Sequence, residues 1–398
     1  VVAVEHDAQF GSRDPPHDRF GRFQALTGLK LEGEGGGLRV RLRLPLLQGE
    51  ASAPSPRARL PQKASILAIA IALFAALAPD PAQAQATLYP APDGSTATRL
   101  HILGATDTAL FAHLVRGFQA TRPDVAVDYV EAETRPIFDA LVAGAGNVPD
   151  VVMSSASDLQ VKLVNDGYAR PLPLGAADGI PDWAQWRSTL FGVSFEPAVI
   201  VYNRDLVSDA EAPRTHLALA ELLEHQRDRF AGRIATYDVA RSGVGYLLAA
   251  QDASISSYFW RLASAFGRAG ARVSGASPEI LDQVERGEIA IGYNVLGSYA
   301  FARQNEGSRL GVVVPDDYVL VLSRSLFVPV RAHRPDLGEA FVSFALSPAG
   351  QAILAGPATL GSVVPGAEGP WTGERIAALG RGAVQPISFG PSLLVGLD

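Results

Sequence analysis

The chain of 398 residues contains no cysteine and only three lysines, Lys30, Lys63 and Lys162. The missing thiols exclude disulfide scaffolds, thiolate zinc sites, iron–sulfur clusters and cysteine nucleophiles together. Catalytic signatures are absent as well: there is no H-E-x-x-H, no G-x-S-x-G, no Walker A run and no G-x-G-x-x-G after a strand. Basic charge is in short supply, with 34 basic against 41 acidic side chains and a formal net charge of -7. That balance argues against a protein that grips phosphate backbones, so no nucleic-acid partner is expected. What is present is a globular composition, 47% hydrophobic and 19% charged, in a chain long enough for two domains with a sizeable core each.

One segment stands apart from that composition. Arg57, Arg59 and Lys63 precede fifteen uncharged residues, 64–78 (ASILAIAIALFAALA), and then Ala82-Gln83-Ala84 or Ala84-Gln85-Ala86 offers small residues for cleavage. A positive stretch, an apolar core and a small-residue site in that order mark a secretion signal. The core falls short of the ~20 apolar residues that a spanning helix needs. A short buried helix and an uncleaved anchor are the competing readings. Residues 57–86 are therefore expected to be a signal peptide and residues 1–56 an upstream extension with no fold of its own. The exported remainder carries 24 basic and 33 acidic side chains, a net charge of -9. Its expected location is the periplasm.

From residue 97 onward strand and helix patterns alternate. Residues 100–103 read as a strand, and Leu110, Phe111, Leu114, Val115 and Phe118 recur at helical spacing behind a Thr106 or Asp107 cap. A second strand (125–129) and helix follow, then a third strand (DVVM, 150–153) that runs into Ser154-Ser155-Ala156-Ser157. Such βαβ repetition implies a parallel sheet with helices on both faces. After the apolar strand at 195–203 (FEPAVIVYN) the register changes. The spacing gives a helix over 217–230, a long helical stretch over 244–266 and further strands near 289–293, 311–315 and 318–322. The expected fold class is α/β with two lobes and two crossing strands, near 199–205 and 312–322. Residues 87–203 form the first part of lobe 1 and residues 204–317 form lobe 2. Residues 318–398 return to lobe 1 and add C-terminal helices.

Four stretches make the chain recognisable: LHILGATDT (100–108) with Phe118 and Pro123, DVVMSSASDL (150–159) before Gly167-Tyr168, VIVYNRDL (199–206), and PDLGEAFVSFALSPAGQAIL (335–354). In this order they resemble the periplasmic substrate-binding proteins of bacterial ABC importers, the bilobal class II. PDDYVLVLSR (315–324) is similar to the subset nearest the ferric-iron binders. The resemblance implies a binder, not an enzyme, with no cofactor and no catalytic residue. It also implies a monomer that takes a small-molecule or ion ligand to an ABC permease in the inner membrane. A receptor feeding a two-component sensor kinase has the same folded domain, and a secreted hydrolase is the remaining alternative.

The candidate ligand residues lie on the turns that such a cleft uses. Helix amino ends expose unpaired N–H groups and partial positive charge, which suit oxyanions and carboxylates. Three turns qualify: Ala105-Thr106-Asp107, Ser154-Ser155 and Arg241-Ser242-Gly243. Ordinary capped helices would show the same residues. A second constellation is phenolic and acidic: Tyr293-Asn294, Ser298-Tyr299 and Asp317-Tyr318. Ferric binders of the resembled family use adjacent tyrosines, whereas Tyr299 is followed here by Ala300. Metal ligands are left unassigned. Acidic residues favour a cation while Arg241 and the helix ends favour an anion. An iron–anion complex, an oxyanion, a carboxylate or a zwitterion all remain open.

Overall fold

The computed structural model describes residues 30–34, 37–41, 85–144, 147–173, 179–305 and 307–394. The chain divides into two units, 1–79 and 80–398. In the first, strands β1 (Lys30–Glu34) and β2 (Gly37–Arg41) pair antiparallel, with Leu31 opposite Val40 and Glu32 opposite Arg39. Of the 1–56 extension expected to have no fold of its own, the described residues are these two strands. Residues 57–84 of the expected signal peptide lie outside the described residues.

The second unit begins with β3 (Gln85–Tyr89), β4 (Thr98–Gly104), helix α1 (Thr108–Thr121), β5 (Val125–Glu131), α2 (Thr134–Ala143), β6 (Val151–Ser154), α3 (Ser157–Asn165), β7 (Gln185–Trp186) and β8 (Leu190–Gly192). Next come β9 (Glu196–Asn203), α4 (His216–His225), α5 (Arg227–Phe230), β10 (Ile234–Tyr237), α6 (Gly243–Ile255) and α7 (Phe259–Ala269). They are followed by β11 (Arg272–Ser274), α8 (Ser277–Glu285), β12 (Ile291–Leu296), α9 (Gly297–Arg303), β13 (Leu310–Val313) and β14 (Tyr318–Leu322). Finally β15 (Ser325–Phe327), α10 (Pro335–Leu346), α11 (Pro348–Ala355), α12 (Gly373–Leu379) and β16 (Ala383–Pro386) return across both lobes.

Two seven-stranded sheets result, in the order β3-β5-β4-β6-β15-β8-β7 for lobe 1 and β11-β10-β12-β9-β14-β16 for lobe 2, with β13 also on β9. β4 runs parallel to both β5 and β6, as right-handed strand–helix–strand units require. The apolar stripe of α1 explains its seat. Phe111 stacks on Tyr129 with ring centroids 4.3 Å apart, and Phe118 meets Phe341 edge-on at 5.2 Å. Each such buried side chain is worth about 1.5–3 kcal/mol. Asp107, one of the two expected caps, starts the helix by accepting the Ala109 N–H at 2.8 Å.

The crossings lie elsewhere than expected. β9 and β14 belong to the lobe 2 sheet and β8 and β15 to that of lobe 1, so the chain passes between lobes at 193–195 and 323–324. The boundaries at 203 and 317 move accordingly. All eight residues of β9 are buried, so no alternation marks where the strand changes partner. The tail also departs from a simple return to lobe 1. β16 pairs with β14 and Ile376 of α12 packs in the lobe 2 core. The long helix expected over 244–266 is two helices. Ser256 is extended and its hydroxyl accepts the Tyr258 N–H at 3.2 Å, which stops α6 before α7 begins.

Candidate functional site

The β4–α1 turn and the start of α9 meet at the crossing strands. Arg324 and Glu196 are both fully buried there. The arginine donates from Nε to Glu196 Oε1 at 2.8 Å and from a terminal nitrogen to Oε2 at 3.2 Å. Its other terminal nitrogen reaches the Ala105 carbonyl at 2.9 Å and Thr106 Oγ1 at 3.1 Å. Ser194 and Ser298 hydroxyls complete the carboxylate. Burial acts to lower the Arg324 pKa, but the Glu196 carboxylate and Tyr299 outweigh it and hold the group above its ordinary value. Tyr299 lies beside the guanidinium, 5.4 Å from ring centroid to Cζ, and its hydroxyl accepts the Asp107 N–H at 3.2 Å. Ala105, Thr106, Asp107, Ser298 and Tyr299 are thus brought together, in a knot whose polar groups already have partners.

A second meeting point has a different character. Ser154 and Ser155 are buried, and the Ser154 hydroxyl accepts the Ala156 N–H at 3.2 Å, shaping the turn into α3. Across from it, Ser242 caps α6 by accepting the Gly245 N–H at 3.3 Å, and the Gly243 N–H donates to Thr134 Oγ1 at 3.0 Å. A Cβ at Gly243 would lie 2.8 Å from Leu159 Cδ1 and 3.1 Å from Ala156 Cβ. Only glycine permits so close an approach of lobe 2 to lobe 1. Beside this contact is a cavity of about 200 Å³ lined by Arg135, Asp158 and Leu159 of lobe 1 and by Arg241, Ser242 and Tyr246 of lobe 2. The amino ends of α2, α3 and α6 surround it.

The phenolic constellation does not assemble as expected. Tyr293, Asn294 and Tyr318 turn into lobe 2 and share the buried carboxylate of Asp252 on α6. The tyrosine hydroxyls donate to it at 2.8 Å each and the Asn294 amide at 2.7 Å. Asn294 adopts a left-handed φ of 59° at a bulge in β12 that aims its amide at Asp252. Asp317 accepts from the His216 ring at 2.9 Å, and that ring stacks on Tyr318 at 4.0 Å. Burial works to raise the Asp317 carboxyl, yet the hydrogen bond and charge of His216 leave it below its ordinary value. Burial raises the Tyr293, Tyr299 and Tyr318 phenols above their ordinary value. Their hydroxyls are engaged with Asp252 or with the Asp107 N–H, so none of the three is free to act as a metal ligand in this arrangement. Among the described residues no cluster of three or more His, Asp or Glu side chains fits a metal ion.

Sequence reasoning missed Arg135, Asp158, Glu196, Asp252 and Arg324 as site or network residues. Asp158 and Arg324 stood inside the recognisable stretches, and Arg135 opens the helix after the second strand, a βα turn of the same kind as the three that were singled out.

A family model described as bacterial extracellular solute-binding protein matches residues 98–352. The substrate-binding protein of an ABC transporter from Agrobacterium tumefaciens is similar at 37% identity and a TM-score of 0.75, over 80% of this chain and 95% of that one. Iron-bound HitA from Pseudomonas aeruginosa matches at 16% identity and a TM-score of 0.57, over 71% of this chain and 95% of its own. AfuA from Actinobacillus pleuropneumoniae, solved with fructose-6-phosphate bound, matches at 19% and 0.55, over 65% and 82%. No curated protein sequence matches the chain. The two-lobed class II fold expected from the sequence is the fold that these structures share.

Proposed function

Because the chain belongs to the bacterial extracellular solute-binding proteins, we propose that it captures a small anion-bearing solute between its lobes and hands it to an ABC permease. It does so in the periplasm, as a monomer freed of the 57–86 leader. The observation that carries this reading is the convergence on one interlobe cavity of Arg135, Arg241 and the amino ends of α2, α3 and α6. Oriented N–H groups and two guanidinium groups form an anion site without any covalent chemistry. The cavity is built from both lobes, so a bound ligand favours the closed arrangement by its differential contacts.

Naked ferric ion is a poorer fit. The tyrosines of the phenolic constellation are committed to Asp252 or to the hinge. The reading is tested by calorimetric titration of the protein with phosphate esters, phosphonates, carboxylates and ferric citrate, alongside X-ray scattering to follow lobe closure. Saturable binding with compaction is expected, weakened roughly 10- to 100-fold in Arg241→Ala. Tight binding of ferric ion without an anion, accompanied by a tyrosinate charge-transfer band, contradicts it. So does anion binding that Arg241→Ala leaves untouched.

A further inference from the structure

Anion capture leaves one group in the cavity unexplained. Asp158, in the first turn of α3, is 1% exposed, and neither of its carboxylate oxygens has a hydrogen-bond partner. Among the described residues Gln160 is the only other buried side chain in that state, and Gln160 does not border the cavity. Buried charges in folded proteins are normally paired, so an orphan at a binding cavity marks a place where something else supplies the partner. Apart from the N–H groups of its own helix end, the described residues do not supply it. Arg135 is half-exposed and tied to Asp139 at 3.1 Å along its own helix, and Arg241 is exposed on the opposite lobe.

The surroundings add more acid on the same side. Glu133, which precedes α2, makes no capping hydrogen bond with its side chain, and burial, followed by the charges of Glu279 and Glu131, lifts its carboxyl to about 7 against the pull of Arg241. Burial lifts Asp158 to about 7 as well, against the N–H groups of its own helix end and Arg135. A ligand bearing only negative charge would meet one wall of this cavity badly. A metal ion would find too few ligands. The volume of about 200 Å³ lies below the range of roughly 300–1,000 Å³ usual for small-molecule clefts, which favours a short ligand.

Building on the interlobe capture proposed above, we infer that the ligand is a short zwitterion. Its ammonium group sits on Asp158, and its carboxylate or phosphonate lies between Arg135, Arg241 and the amino end of α6. The ammonium supplies the donors that Asp158 lacks, and the anion supplies the partner that Arg241 lacks. The ammonium is held by lobe 1 through Asp158 while the anion reaches lobe 2 through Arg241, so a molecule carrying both charges at the right separation ties the lobes together more tightly than an anion alone.

The test uses matched pairs of probes, 3-aminopropylphosphonate against propylphosphonate and 4-aminobutyrate against butyrate, titrated calorimetrically into the purified protein. The amino member of at least one pair is expected to bind roughly 10- to 100-fold tighter than its partner, the worth of a charge-assisted hydrogen bond. Asp158→Asn keeps the shape of the side chain, abolishes that preference and raises the thermal midpoint of the unliganded protein. Arg241→Ala weakens both members of the pair equally. Three results overturn the inference: equal affinity within both pairs, a preference that survives Asp158→Asn, or no binding by any of the four probes. Fructose-6-phosphate bound in preference to all four, and lost in Asp158→Asn, also overturns it, since the carboxylate then takes sugar hydroxyls. In that last case an Arg241→Ala defect leaves interlobe capture standing. If neither these probes nor ferric citrate binds and the lobes stay open, both readings fall together.

Discussion

Two polar knots join the lobes, and they differ in one respect. At the crossing strands Arg324 and Glu196 are fully buried and fully paired, with Ser194, Ser298, Thr106 and the Ala105 carbonyl filling the remaining valences. At the helix ends Asp158 is as deeply buried, and its carboxylate has no partner. Low dielectric strengthens a complete network and penalises an incomplete one. The first knot therefore reads as framework, fixing how the strands cross. The second reads as a socket whose missing half arrives with the ligand. Burial alone does not separate the two; satisfaction of hydrogen bonds does.

The largest effect is expected where the framework is broken on one side. Arg324→Met leaves the Glu196 carboxylate buried and unpaired, and should cost roughly 3–5 kcal/mol in urea unfolding. Adding Glu196→Leu should recover part of that loss, since two apolar groups leave no orphan charge. If the single substitution is silent, the hinge knot is not what holds the crossing together.

In the socket the sign reverses. Burial raises the Asp158 carboxyl from near 3.8 to about 7, so ionising it is costly in the folded state. That cost is absent below pH 4, grows as pH rises from 4 to 7, and is complete above 7. Asp158→Asn should therefore stabilise the unliganded protein by roughly 2–4 kcal/mol at pH 8 and by almost nothing at pH 4. A destabilising Asp158→Asn at pH 8 would show that the carboxylate has a structural partner after all, and the contrast between the knots would collapse.

A smaller effect belongs to the third cluster. Tyr318→Phe leaves one Asp252 oxygen short of a donor and should cost about 1–2 kcal/mol, with ligand affinity unchanged. Lost affinity with intact stability would return the phenolic residues to the binding site. The smallest change expected is in Arg135→Ala, whose exposed pair with Asp139 contributes little to stability. Thermal melting should not detect it, while affinity for an anionic probe falls several-fold.

The fold was largely legible in the sequence, and the site only in part. The βαβ order over 98–165 follows from clean periodicities, and Arg241-Ser242-Gly243 is a glycine-bearing helix start whose close lobe contact fits its residues. The crossing points were not legible, because β9 is buried along its whole length and no alternation marks the passage into it from lobe 1 at 193–195. Tyr293 and Tyr318 look like ligands in one dimension. The carboxylate that engages them, Asp252, stands 41 positions from the first and 66 from the second. Asp158 shows the converse. Its place at a helix start is visible in DVVMSSASDL, but the lack of a partner is a property of packing, and no residue pattern encodes it.

The central claim is that Asp158 waits, largely protonated, for a cation that the ligand provides. The charged groups around it are Arg135 on α2, Arg241 ahead of α6 and, beyond the cavity lining, Glu133 before α2. Calorimetric titration of 4-aminobutyrate, neither of whose charged groups titrates near pH 6, at that pH and in buffers of different ionisation enthalpy, measures the protons released on binding. With a free carboxyl near 7, roughly 0.9 proton should leave for each ligand bound, and none in Asp158→Asn. Binding with no proton release, or the same release from both proteins, would contradict the account.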